Sequence, residues 1–191
     1  MDACSAVQYV DFDERYLDVM LKIAIDRFGE NYIDKNKILS LADKDEAMCS
    51  LAVSADTKDV LGYCLFFEEN MEKASKDFKI PKDEMIAVTG SDSSLCHAKS
   101  MALKRGSEKR GLGYNLFNRT LDKAQKIGYK VAWCPAWKRG DFIPVEKVLL
   151  RLGFNYFKTV HRIWEDDKDY KCIECHGPCK CDAAVYYKIL N

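Results

Sequence analysis

Apolar positions along the chain change period several times, and each change marks an element. Between 16 and 28, Leu17, Met20, Leu21, Ile23 and Ala24 recur at helical spacing, and Gly29 follows as a stop. Residues 111–127 repeat the pattern more fully: Leu112, Leu116, Phe117, Leu121, Ala124 and Ile127 fall on one face, and Gly128 closes the helix. Shorter helices are expected over 34–41 and over 144–152, the latter with Pro144 near its start and Gly153 after its end. Strand-type runs occupy 6–12, 47–53, 60–67, 85–89, 97–103, 130–137, 154–164 and 183–190. Residues 55–59 read as a hairpin turn, and Pro135 breaks the run at 130–137. The charged stretch 68–84, which holds Pro81, reads as an excursion with some helix. The order βααββ(β)βαβαββ predicts an α/β chain with a mixed, largely antiparallel sheet.

The 191 residues suffice for one domain with a full core, and no repeat, low-complexity tract or linker divides them, so 1–191 is expected to be a single domain. Thirty basic residues balance thirty acidic ones, which argues against a nucleic-acid binder. No apolar run approaches membrane-spanning length, and Met1-Asp2-Ala3-Cys4 shows neither a basic n-region nor an apolar stretch, so a cytoplasmic protein without a membrane partner is expected. Of nine cysteines, Cys4, Cys49, Cys64, Cys96 and Cys134 are scattered singly and read as reduced core thiols. Cys134 lies in an apolar run without a His/Asn partner signature, which makes it core and not a nucleophile.

The other four cysteines, Cys172, Cys175, Cys179 and Cys181, stand in C-I-E-C-H-G-P-C-K-C. Gly177-Pro178 turns the chain between two thiol pairs, so all four can converge on one ion. Zinc is the expected occupant and a complete thiolate set makes it structural. A reduced or redox-active loop is the alternative reading of the run, and His176 replacing one thiol is the alternative ligand set.

Lys109-Arg110-Gly111-Leu112-Gly113-Tyr114 opens the helix at 111–127. A helix start offers unpaired N–H groups and the positive end of a dipole, glycines allow close approach, and Lys109 and Arg110 add charge, all suited to phosphate. The competing reading is a tight turn. Leu116 stands where a dinucleotide fingerprint needs a further Gly, and no Gly-Lys-Ser/Thr is present.

The stretch 97–154 resembles the GNAT superfamily of N-acetyltransferases, whose central motif is a strand, Arg/Gln-x-x-Gly-x-Gly/Ala, and a long helix. Here these are 97–103, Glu108 to Gly113, and the helix to 127, followed by a strand at 131–136, a helix at 145–152 and the pair Gly153-Phe154. The resemblance implies a fold in which splayed parallel strands, 97–103 and 130–137, form an acetyl-coenzyme A cleft. Pantetheine would pair with the backbone near Met101 and Leu103, and pyrophosphate would lie on Arg110 to Tyr114. An amine would attack the thioester directly, with Met101 N–H as oxyanion donor and His97, by register, as base. Asp92 and Glu84 are weaker candidates for the base, and Tyr156 and Tyr114 for the acid. A satisfied strand-edge histidine is the competing reading of His97. The sequence departs from the family at Glu108, where Arg or Gln is usual, at Phe142, near a common Asn, and at Leu149, where many members carry the Tyr that protonates the thiolate.

The implied partner is a small-molecule or protein amine, with the cysteine turn, inside the last hairpin, shaping the acceptor side; Glu30, Tyr32 and Asp34 are candidates for the acceptor entrance, and a solvated loop is the competing reading of them. A homodimer is compatible. The alternative is a catalytically silent acyl-coenzyme A binder whose zinc turn docks a partner.

Overall fold

The computed structural model describes residues 6–41 and 47–190, so Cys4 lies outside the described residues. In chain order the elements are β1 (Val7–Asp11), α1 (Leu17–Phe28), β2 (Gly29–Glu30), α2 (Lys35–Leu39), β3 (Cys49–Ser54), β4 (Val60–Glu69), α3 (Met71–Phe78), α4 (Lys82–Thr89), β5 (Leu95–Leu103), α5 (Leu112–Ile127), β6 (Val131–Lys138), α6 (Glu146–Arg151), β7 (Asn155–Val160), β8 (Lys171–Cys172), β9 (Gly177–Pro178) and β10 (Asp182–Ile189). Seven strands form one sheet in the order β1-β3-β4-β5-β6-β10-β7. Every neighbouring pair is antiparallel except β5–β6, as the sequence predicts.

Helices cover both faces. On one, α5 lays Leu112, Leu116, Phe117, Leu121 and Ala124 against β4, β5 and β6, joined by Leu149 of α6. Burial of Leu116, Phe117 and Leu121 contributes about 1.5–3 kcal/mol each. Ile127, at the last turn, is left exposed. On the other face, α1 and α2 pack on β3 and β4, and α3 and α4 pack on β5, β6 and β10. With both faces covered, β4 is buried along nearly its whole length, which explains its continuous apolar run.

Two strand expectations are corrected. Residues 85–89 belong to helix α4, where Met85 and Thr89, one turn apart, are its buried residues. Pro81 caps its start and Gly90 its end, and Asp83 and Glu84 favour its first turn. The run at 154–164 is strand only to Val160, and Arg162 turns the chain at φ 47°. From there 161–181 makes a long excursion within the β7–β10 pair. Its strand β8 pairs with β2 and β9 in a second, three-stranded sheet. Gly29 is required there: a Cβ would stand 1.9 Å from Lys171 O, and its φ is +113°.

Candidate functional site

The site is a split between β5 and β6. These strands pair only at Cys96↔Ala132 and His97↔Trp133. Leu190 N donates to Lys130 O at 2.8 Å, and β10 keeps one register along all of β6. Strand alternation therefore turns the backbone groups of residues 131, 133, 135 and 137 toward β5. Pro135 has no N–H to offer, and the ladder ends just before it. On β5, Lys104 N donates to Leu61 O at 2.8 Å, and 102 and 104 bond toward β4. Met101 and Leu103 consequently present both N–H and C=O to the gap.

Beyond the split lies a cleft of about 600 Å³ lined by Met101, Leu103, Lys109, Gly111, Leu112, Gly113 and Tyr114. Seven sequence-selected residues thus converge on one space, and Arg110 is exposed beside them. Gly111 caps α5 at φ 75°, a left-handed conformation suited to glycine. The first bond of this helix runs from Asn115 N to Gly111 O, so the N–H groups of Leu112, Gly113 and Tyr114 have no partner within it. Glu108, the departure from the motif, accepts from Arg27 Nη2 at 2.7 Å and from Gly106 N at 2.8 Å. It pins the loop and brings the Arg27 guanidinium to the cleft wall. Phe142 also lines the cleft, whereas Leu149 is fully buried in the core, so position 149 supplies no acid for a thiolate.

His97 occupies a different space. It lines a groove of about 260 Å³ on the other side of the split, with Asp77, Lys79, Trp164, Asp166 and Asp167. Its ring is buried edge-on to Phe78, and Nδ1 stands 3.3 Å from Glu69 Oε2. Neither ring nitrogen forms a well-directed hydrogen bond. Burial pulls the imidazole pKa below its usual value, outweighing the opposite pull of Glu69. Burial alone would raise Glu69, but His97, Lys73 and Lys37 together hold it down to about 2. At neutral pH the pair is therefore a neutral imidazole beside a carboxylate.

The other candidate acids and bases stand elsewhere. Glu84 pairs with Lys158 and Asp92 with Lys82. Tyr156 is exposed and bonded to Thr159, whereas Tyr114 lines the cleft under Arg151. Burial pushes the Cys134 thiol up to about 12, which rules out a thiolate nucleophile there at neutral pH.

Lys99, unselected from the sequence, lies between the two spaces. A small, largely apolar chamber shares Phe28, Met101 and Trp137 with the cleft and Lys99 and Pro135 with the groove, and Tyr32 lines it too. A bulge places it there: Leu65 pairs with Ser100 and Phe66 with Ala98, leaving Lys99 as the extra residue. Tyr32 Oη donates to Lys99 O at 2.9 Å, and Lys99 Nζ lies 4.5 Å from the Tyr32 ring centre. Of the other two residues expected at the entrance, Glu30 pairs with Lys171 across β2–β8 and Asp34 caps α2.

Cys172, Cys175, Cys179 and Cys181 converge in the 161–181 excursion, with their sulfurs within 4.8 Å of one another. His176 is exposed and outside the group. Lys180 N donates to Cys175 Sγ at 3.3 Å. Burial, then the backbone donors of Cys175 and Glu174, act in opposite senses on Cys172, and the donors win and lower it. Burial and the Cys172 charge raise Cys179 and push Cys181 up to about 12. Four ionised thiols can coexist here only around a cation, so the donor set fits zinc. The knuckle borders more than the acceptor side expected of it: Ile173 and Glu174 wall the large cleft, and Trp137 packs on the cysteines while lining that cleft.

No protein-family model and no curated protein matches the sequence. Solved structures do match over nearly the whole chain. Arabidopsis thaliana NAA60, solved with a bisubstrate analogue and with acetyl-CoA, superposes at TM-score 0.68, covering 97% of this chain and 99% of that one at 12% identity. Arylalkylamine N-acetyltransferase 2 from Aedes aegypti matches at TM-score 0.61, with 97% and 99% covered at 13% identity. A GCN5-related N-acetyltransferase from Kribbella flavida matches at 0.60, with 97% and 98% covered at 18% identity. The fold is that of the GNAT N-acetyltransferases. Within the GNAT fold the split parallel strands and the glycine turn are where the sequence resemblance puts them. The cysteine knuckle is built into the excursion between β7 and β10.

Proposed function

We propose that the chain is a single acetyltransferase domain that moves an acetyl group from acetyl-coenzyme A to a primary amine by direct attack. The observation that carries this reading is the continuity of the split, the unpaired backbone of Met101 and Leu103, and the open helix start at Leu112 to Tyr114. Backbone donors and acceptors suit the amides of pantetheine, and a helix N-terminus flanked by Lys109, Arg110 and Arg27 suits pyrophosphate. The amine nitrogen bonds to the thioester carbon, the C–S bond breaks, and the thiol leaves. Met101 N–H, facing the gap, would stabilise the oxyanion formed on the way. With Leu149 in the core, the leaving thiolate takes its proton from Tyr114 or from water. Asp167 on the groove suits an acceptor that arrives as an ammonium ion, whereas Asp77 pairs with Lys73 and Asp166 with Lys79. Cys172, Cys175, Cys179 and Cys181 would hold zinc, which would clamp the knuckle; a complete thiolate set leaves no open position for substrate.

His97 is the proposed base, neutral at pH 7 and bordering the groove. Its lowered pKa places the acidic limb of the pH–rate profile below the ordinary histidine value. His97→Ala is expected to lower kcat about 10²-fold, erase that limb and leave coenzyme A affinity unchanged. Wild-type turnover with an unaltered pH profile would make His97 structural. The buried Leu149 favours one other reading, a silent acyl-coenzyme A binder whose knuckle docks a partner. That protein would bind the cosubstrate without consuming it.

A further inference from the structure

We propose that Lys99 is a self-acetylation site, its ε-amine taking the acetyl group from acetyl-coenzyme A bound in the β5–β6 cleft. The inference rests on the acetyltransferase reading and adds an acceptor within the chain itself. Three observations carry it. Lys99 is the bulge residue two positions before Met101, and it lines both the groove and the apolar chamber, whose wall includes Met101. Nζ lies against the Tyr32 ring, and among the described residues no carboxylate forms an ion pair with it. Its neighbours differ: Lys37 and Lys73 pair with Glu69, and Lys79 pairs with Glu165 and Asp166. A paired ammonium is held protonated and is a poor nucleophile, whereas an amine desolvated by burial and without an ion-pair partner gives up its proton more readily.

The charged and titratable groups facing it are Lys37, Glu69, Asp77, Asp167, Tyr32 and His97. Burial first, then the Lys37 cation, bring the Lys99 pKa down to about 8 against the pull of the three carboxylates. Near neutral pH its free-base fraction is about 10²-fold that of an ordinary lysine. In the transfer, Nζ bonds to the thioester carbon and the C–S bond breaks. One N–H proton goes to the departing thiolate, leaving acetyl-lysine and free coenzyme A. The bulkier, uncharged amide would stand on the groove wall in the way of an external amine.

The test is to incubate the full chain with acetyl-coenzyme A and no amine, and to follow each lysine by peptide mass spectrometry, with coenzyme A binding measured in parallel. Acetylation is expected at Lys99 well ahead of the exposed lysines, faster as pH rises toward 8, absent in Lys99→Arg and reduced to the exposed-lysine rate in Gly113→Trp. Coenzyme A binding with Lys99 modified no faster than exposed lysines would overturn the proposal and leave the acetyltransferase reading standing. Equal modification in Gly113→Trp would overturn it too. Absence of coenzyme A binding in the wild type would remove both.

Discussion

Gly113→Trp is expected to weaken coenzyme A binding by about 10³-fold, ~4 kcal/mol, while the chain stays folded. Gly113 is buried in the first turn of α5 and lines the cleft opposite Met101. A Cβ there would stand 3.3 Å from Met101 Cε and 3.5 Å from its Sδ, both at the flexible end of the side chain. Alanine therefore fits after a small adjustment of Met101. An indole does not, and the open space available to it is the cleft itself. The backbone conformation is no obstacle, since Gly113 has ordinary helical geometry. Gly113→Ala is thus the control, expected to retain binding, and thermal melts of both variants separate a blocked site from an unfolded one. Calorimetric titration with coenzyme A reads the difference. Unchanged affinity in a folded Gly113→Trp chain would remove the cofactor from this cleft.

Zinc loss is expected to reach the coenzyme A cleft as well as the knuckle. The reduced, purified chain should carry about one zinc, and Cys175→Ser should lose most of it to a competing chelator that leaves the wild type loaded. Cys175 Sγ lies 3.5 Å from Cys181 Sγ, so its removal opens the ring of donors on one side. The consequence reaches beyond the metal, because Ile173 and Glu174 wall the cleft and Ile173 N donates to Phe28 O at 3.0 Å. Coenzyme A affinity should fall about tenfold with the metal, ~1.4 kcal/mol. The domain has its own core around α5 and the seven-stranded sheet, so it should remain folded. Metal analysis by mass spectrometry checks the first part. Zinc-free protein carrying a Cys172–Cys181 disulfide would refute the structural-zinc account.

Much of this was legible in the residue pattern, for physical reasons that differ between elements. Helix α5 announces itself because Leu112, Leu116, Phe117, Leu121 and Ala124 must all meet the sheet, and Gly128 must leave the helix at φ +105°. The four cysteines are close in sequence, so their convergence needs only one turn. Residues 85–89 misled because a five-residue apolar run carries no clear period, whereas the decisive signals, Pro81 and Gly90, lie at its flanks. The small sheet of β2, β8 and β9 has two-residue strands, too short for any pattern. Lys99 was missed because its position depends on a pairing shift between two strands, Leu65↔Ser100 and then Phe66↔Ala98, which neither strand's sequence reveals. Arg27, Phe28 and Tyr32 reach the site from α1 and the turn after it, contacts between segments about 70 residues or more apart in the chain.

Acetyl transfer is tested most directly by the coupled appearance of free coenzyme A thiol and acetylated amine when the zinc-loaded chain meets acetyl-coenzyme A and a panel of primary amines. The panel should span amino acids, polyamines, arylalkylamines and peptides with free N-termini or lysines. The expected result is equimolar thiol and N-acetyl product with at least one cationic amine, lost in Gly113→Trp and reduced in His97→Ala. Tight binding of acetyl-coenzyme A with no consumption above its hydrolysis in buffer, across every amine class, would contradict the claim and leave a binding protein on the same fold.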